Sequence, residues 1–151
     1  MEIFLARQPI FDIHKNVYAY EILYRRSYVN SFEETQGDEA SKKVMIHTFQ
    51  TFGIETLTNK KPAFINFTEN LIRDEVATLF PNKSLVVEIL ESVNPDQTII
   101  ESCRKLKEKG YTIALDDFVY SPKFDPLIEL ADIIKIDFLN STIDIIIQTV
   151  S

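Results

Sequence analysis

The chain has 151 residues, 45% of them hydrophobic and 26% charged, which is the balance of one ordinary globular domain with a core of useful size. Sixteen basic residues against 23 acidic ones give a net charge of −7, which excludes a diffuse polyanion-binding surface while leaving room for a small dinucleotide. The single cysteine, Cys103, excludes an intrachain disulfide and a zinc motif, and no apolar run reaches the roughly 20 residues of a membrane span.

Apolar patterning predicts six strands, taken here in chain order. The first two, at 3–11 and 16–25, are joined by Asp12-Ile13-His14-Lys15-Asn16, a polar loop suited to a hairpin. An acidic stretch at 30–40 reads as a solvated loop. A helix over about 39–57 places Ala40, Val44, Thr48, Phe52 and Ile54 near one face. A strand at 62–67 follows, and Thr68 is placed to cap a helix over 69–80.

The strand at 84–90 is almost wholly apolar, as a strand buried on both faces should be. Asn94-Pro95 opens a helix that closes at Gly110, with Cys103 as a small core residue upon it. A strand at 112–117 leads to Ser121-Pro122 and a short helix turning Phe124, Leu127, Ile128 and Ala131 inward. The last strand spans 133–137, and the Ile-rich segment from Phe138 to Ser151 has the look of another helix.

Strand and helix alternate from residue 39 onward, which argues for an α/β fold with right-handed crossovers. A full (β/α)₈ barrel takes about 250 residues. The expectation is therefore an incomplete TIM-type (β/α) barrel with an N-terminal strand pair, occupying residues 1–151 as one partial domain. Such a fragment would expose a strand edge and apolar surface, so a homo-oligomer is expected. The N-terminus, Met1 to Arg7, lacks the features of a signal peptide, and the expected location is cytoplasmic.

The informative pattern is the polar residue at each strand end. Asn66, Glu88, Asp116 with Asp117, and Lys135 with Asp137 all fall where an apolar core would reject them, and Glu21 lies inside the second strand. Taken singly, each has an ordinary explanation as a helix cap, a turn residue or a snorkelling lysine. Parallel barrels, however, bring the C-terminal ends of their strands to one mouth. Carboxylates gathered there are costly to bury unless a cation holds them. Oxygen donors without paired His or Cys point to Mg²⁺, Mn²⁺ or Ca²⁺ rather than zinc.

These residues sit in six short motifs. Gln8-Pro9-Ile10, Glu21-Ile22-Leu23 with Arg25, Ile65-Asn66-Phe67-Thr68, Glu88-Ile89-Leu90-Glu91, Leu115-Asp116-Asp117-Phe118 and Lys135-Ile136-Asp137 resemble the successive signatures of EAL domains, in that family's order. The opening Phe4 to Phe11 and Tyr20 to Arg25 look more specifically like the EAL–HDOD subgroup. That family hydrolyses cyclic di-GMP to linear pGpG with divalent metals.

The resemblance implies a metal set of Glu21, Asn66, Glu88 and Asp116, with Asp116 bridging to a second metal shared with Asp117 and with Asp137 close by. It implies Lys135 orienting or deprotonating the attacking water, and Glu21 serving catalysis through the metal. Gln8, Leu23 and Arg25 would contact the ligand, Arg25 at a phosphate. The implied cofactor is Mg²⁺ or Mn²⁺, with Ca²⁺ an inhibitory occupant. The implied partners are cyclic di-GMP and a downstream HDOD domain or other signalling protein, with neither nucleic-acid polymer nor membrane.

Three departures argue against turnover. Ile22 stands where the family has a small alanine. Val119-Tyr120-Ser121-Pro122 stands where the family has a Gly-Thr-Gly loop after the paired aspartates. The family's glutamate and glutamine of later strands are not among these 151 residues. The reading favoured is a degenerate EAL signalling module that binds ligand or partner. A fragment of an active phosphodiesterase and a structural interaction domain are the alternatives.

Overall fold

A computed structural model describes residues 3–26, 38–137 and 144–148, in two compact units that meet within one strand, after Ile65. In the first unit, β1 (Ile3–Phe11) pairs antiparallel with β2 (Val17–Arg26), in a register that sets Gln8 opposite Glu21 and Ala6 opposite Leu23. The hairpin closes because Asp12 Oδ1 accepts from the backbone N–H groups of His14 (2.8 Å) and Asn16 (2.9 Å), while Lys15 takes a positive φ of 65°. A short polar side chain bonded to its own turn does this work in sequences that lack an Asn-Gly pair.

The helix expected over 39–57 forms in two pieces, α1 (Asp38–Phe52) and α2 (Ile54–Leu57), broken at Gly53 with φ 74°. Its buried face also differs from the expected one. Met45 and Phe49 are buried, whereas Phe52 is 60% exposed, and Ile54 is buried only because the break re-aims the chain. A single continuous helical period does not carry across a left-handed residue. The side chains of Ala40, Val44 and Thr48, and the acidic loop up to residue 37, lie outside the described residues.

Strand β3 (Ala63–Phe67) then runs parallel to β2, with Glu21 opposite Phe64 and Ile22 opposite Ile65. Arg7 ties β1 to α2 by donating from Nη1 to the Leu57 carbonyl at 2.8 Å, its guanidinium lying 4.7 Å from the centre of the Tyr20 ring.

The second unit begins at Asn66. Thr68 caps α3 (Glu69–Arg73), as expected, by accepting from the Leu71 N–H. The helix is shorter than its apolar pattern: Glu75 takes φ 54° and a 3₁₀ turn over Val76–Leu79 completes the segment. Strand β4 (Leu85–Ile89) is buried at every position. Helix α4 (Gln97–Glu108) starts two residues later than Asn94-Pro95 suggests, because Asp96 is the cap and accepts from Ile99 N–H at 2.9 Å. It buries Ile99, Cys103 and Leu106 at the i, i+4, i+7 spacing of one face.

Strand β5 (Thr112–Leu115) pairs parallel with β4, and β6 (Ile133–Asp137) pairs parallel with β5. Between them lie a 3₁₀ turn at Pro122–Phe124 and α5 (Asp125–Leu130), with Phe124, Leu127 and Ala131 buried as expected. Beyond β6 the helical expectation fails. The chain forms β7 (Asp144–Gln148), antiparallel to β6, with Ile134 opposite Ile147 and Ile136 opposite Ile145. A run of Ile is stiff at χ1 and better suited to a strand, and here it covers the edge of β6 that would otherwise stand open.

The fold class is thus α/β, with parallel strands alternating with helices behind an antiparallel pair: an incomplete TIM-type (β/α) barrel. No described helix is long and apolar enough to cross a membrane.

Candidate metal and ligand site

Strand β4 places Glu88 in the middle of five buried residues, and its side chain is 0% exposed. A carboxylate in that position is tolerable only if a positive charge meets it. Lys135, two residues into β6 and 15% exposed, does so, and its Nζ donates to Glu88 Oε1. The same ammonium lies 3.2 Å from Asp116 Oδ1. Glu88, Asp116 and Lys135 are therefore drawn together at three neighbouring strands.

The backbone fixes this meeting. Glu88 stands opposite Ala114 in the β4–β5 register, and Leu115 stands opposite Ile134 in the β5–β6 register. The next residue on each strand, Asp116 and Lys135, falls level by the same count. The Asp116 N–H donates to the Ile89 carbonyl at 2.9 Å, and the Phe118 N–H donates to the Lys135 carbonyl at 3.3 Å. The turn after β5 is thereby stitched to the strand on either side, which holds Asp116 between Glu88 and Lys135.

Asn66, at the end of β3, keeps its Oδ1 buried with no hydrogen-bond partner. An amide oxygen so placed lacks the partner that buried acceptors normally have. Two carboxylates that share one ammonium and an unpartnered amide oxygen are all oxygen donors, the kind a hard divalent cation takes. The residues present therefore fit such an ion.

The remaining expected residues are carried by β1, β2, β6 and the turn after β5. Asp117 is exposed and takes φ 47°, and Asp137 ends β6, its side chain lying outside the described residues. Among the described residues Asp117 belongs to no cluster of three or more ligating side chains. In the first unit, Glu21 is half-buried on β2, Gln8 is exposed on β1, and Leu23 is half-buried. Arg25 sits on β2 opposite Phe4; its side chain lies outside the described residues. Ile22 is 2% exposed and lines a half-open cavity of about 280 Å³ with Leu5, Ala6, Arg7, Thr56 and Leu57.

The sequence did not signal that Lys135 would serve as counter-ion to two carboxylates. The hint available was a lysine flanked by isoleucines on a strand with little solvent to reach. After Asp117 the chain runs through Val119 and Tyr120, 76% and 63% exposed. Phe118 packs edge-on against Phe124 at 5.5 Å, and a hydrogen bond from Tyr120 to Asp125, together with that carboxylate's charge, raises the phenol pKa.

No family model matches the chain. It is 44% identical over 147 residues to the uncharacterized protein YuxH of Bacillus subtilis (strain 168), covering 94% of this chain and 36% of that protein. It is 32% identical over 142 residues to the cyclic di-GMP phosphodiesterase CdgJ of Vibrio cholerae, covering 93% of this chain and 33% of that protein. The chain thus spans about a third of the length of the curated relatives it matches.

Among solved structures, the PaMucR phosphodiesterase in complex with c-di-GMP superposes with a TM-score of 0.72 at 20% identity, covering 95% of this chain and 73% of that one. The Bacillus subtilis YkuI protein, with an EAL domain in complex with substrate c-di-GMP and calcium, superposes with a TM-score of 0.64 at 19% identity, covering 91% and 42%.

Proposed function

Because the chain carries the fold of an EAL domain, over the portion from its N-terminal strand pair through β6, we propose that it is a cyclic di-GMP-binding signalling module that holds a divalent cation but turns over little or no ligand. The observation that carries this reading is Glu88, wholly buried on β4 with Asp116 and Lys135 gathered around it. A core does not keep such a group for packing, since an apolar residue of similar volume would be neutral or better.

The ligand set is the one the resemblance implies, Glu21, Asn66, Glu88 and Asp116, and the wholly buried Glu88 and the unpartnered amide oxygen of Asn66 support it. Mg²⁺ or Mn²⁺ bound there supplies Lewis acidity to a phosphoryl oxygen. Gln8 and Leu23 contact the dinucleotide, and Arg25 pairs with one of its phosphates. Lys135 holds Glu88 and Asp116 in place and, in the role the resemblance implies, would orient or deprotonate the attacking water. A downstream HDOD domain or another signalling protein is the partner that would read the bound state.

Hydrolysis is a separate demand. Two-metal cleavage needs a second ion about 3.5–4 Å from the first, and Asp117 is the residue the resemblance assigns to it. Asp117 is exposed and stands outside the cluster, in front of a loop without glycine.

Calorimetric titration of cyclic di-GMP with and without Mg²⁺ or Mn²⁺, alongside an assay of pGpG formation, tests the proposal. Cation-dependent binding lost in Arg25→Ala, with no product, is the expected result. The 32% identity to CdgJ favours the second reading, an active phosphodiesterase. Metal-dependent product that vanishes in Glu21→Ala would establish it and overturn the first.

A further inference from the structure

We propose that Lys135 is a built-in counter-ion that competes with the divalent cation, so that the site trades one positive charge for another. The inference rests on the cation site proposed above and concerns its regulation. Lys135 Nζ touches Glu88 Oε1 and lies 3.2 Å from Asp116 Oδ1, so it occupies the space between two carboxylates that a metal would have to share. The pair is largely removed from water: the side chains of Lys135 and Asp116 are each 15% exposed and that of Glu88 is 0% exposed.

Three consequences follow from that geometry. The ammonium satisfies the buried glutamate, so the protein folds without metal instead of depending on it. A divalent cation entering between Glu88 and Asp116 meets a like charge at contact distance in a partly desolvated site, where such repulsion is many times its value in water. The lysine must therefore swing from at least one carboxylate as the ion binds. Its flexible stem and partial exposure permit that, whereas Glu88 is fixed in a fully buried strand. The cost of the swing is subtracted from the metal's binding free energy, which lowers affinity and makes occupancy responsive to cation concentration.

The test is a calorimetric titration of the full chain with Mn²⁺ alone, repeated on Lys135→Met, Lys135→Arg and Glu88→Gln, with thermal unfolding of each protein with and without the ion. Lys135→Met should bind Mn²⁺ at least about tenfold tighter than the unmodified chain, because the competing charge is gone. Its unfolding midpoint should be lower without Mn²⁺ and recover on adding it, since Glu88 has then lost the ammonium that meets its Oε1. Lys135→Arg should stay within about threefold of the unmodified chain.

If Lys135→Met is unfolded without metal, Lys135→Gln is titrated in its place, its amide still able to donate to Glu88. Refolding of either variant by Mn²⁺ also supports the inference. Saturable binding in the unmodified chain that is unchanged or weaker in the neutral variants would overturn it while leaving the cation site standing. No saturable binding in any variant, or binding indifferent to Glu88→Gln, would overturn the cation site and the inference with it.

Discussion

Ile22 occupies the central position of Glu21-Ile22-Leu23, where related domains have alanine, and Ile22→Ala measures what the larger residue contributes. The side chain is 2% exposed, so its three outer carbons are lost from a buried environment. At about 0.8 kcal/mol per buried carbon the transfer part is about 2.4 kcal/mol. A closed core would add a cavity penalty that takes Ile→Ala to about 4 kcal/mol or more. Here Ile22 already faces a half-open cavity of about 280 Å³ lined by Leu5, Leu57 and Arg7, whose walls can move inward or admit water. The expected loss is therefore at the lower end, about 2–3 kcal/mol, and Ile22→Val should cost about 1 kcal/mol. Urea unfolding followed by circular dichroism reads both, with a drop in melting midpoint of about 5–10 °C for the alanine variant. A gain in stability, or a loss below about 1 kcal/mol, would show that isoleucine crowds the strand and that the packing argument is wrong.

Gly110 has φ 85°, and a Cβ there would come within 2.8 Å of Asn82 Nδ2, which donates to the Lys109 carbonyl. Gly110→Ala should thus cost about 1–3 kcal/mol in urea unfolding, and a neutral result would contradict the left-handed turn that closes α4. Burial pushes the Cys103 thiol up to about 12 from its ordinary 9. Its raised folded-state pKa contributes stability that is complete below pH 9 and lost as pH rises from 9 towards 12. The difference in unfolding free energy between the unmodified chain and Cys103→Ala should shrink across that window. Native Cys103 should also resist a thiol reagent at pH 8 and react once unfolded, whereas rapid native labelling would refute its burial.

How much of this was legible in the residues depends on the type of signal. The strands were, because runs such as Ser84 to Leu90 are short, apolar and rich in β-branched residues, and all six begin within one residue of expectation. Thr68 was legible as a cap because it stands directly before the first helical residue. Asp96 was overlooked because Asn94-Pro95 offered a competing start, and only Asp96 can reach Ile99 N–H. The breaks at Gly53 and Glu75 are left-handed residues, one a glycine and one not, inside otherwise helical periods. Local pattern does not reveal where a chain must turn to meet a sheet. The tail showed the reverse error: Ile145, Ile146 and Ile147 are β-branched, and their strand preference outweighed the crossover order that suggested a helix. In the site, residue types identified Glu88, Asp116 and Lys135 as a group. Their pairing needed the register of three strands, which is a non-local quantity.

The loop after Asp117 gives the sharpest separation between holding a cation and using one. Asp117 takes φ 47°, and no other non-glycine residue described between Asp116 and Asp137 has a positive φ. The only left-handed turn of the loop is therefore made by the aspartate itself. With Val119, Tyr120 and Ser121 in place of the Gly-Thr-Gly of related domains, the following backbone has less freedom to turn and re-aim the carboxylate. Tyr120 bonded to Asp125 and Phe118 packed on Phe124 fix the loop further. The combined variant Val119→Gly, Tyr120→Thr, Ser121→Gly removes the Tyr120 bond and returns φ > 0 to two positions. It should lower the unfolding midpoint, because two glycines raise the entropy of the unfolded chain. If loop stiffness keeps Asp117 from a second ion, Mn²⁺ titration should show a second binding event, and pGpG formation should rise by about tenfold or more, since misplacement by about 1 Å can cost a hundredfold. A folded variant that still binds one ion and makes no more product would show that the loop does not limit the chemistry. Asp117 would then lack some other ligand, and restoring glycines would not supply it.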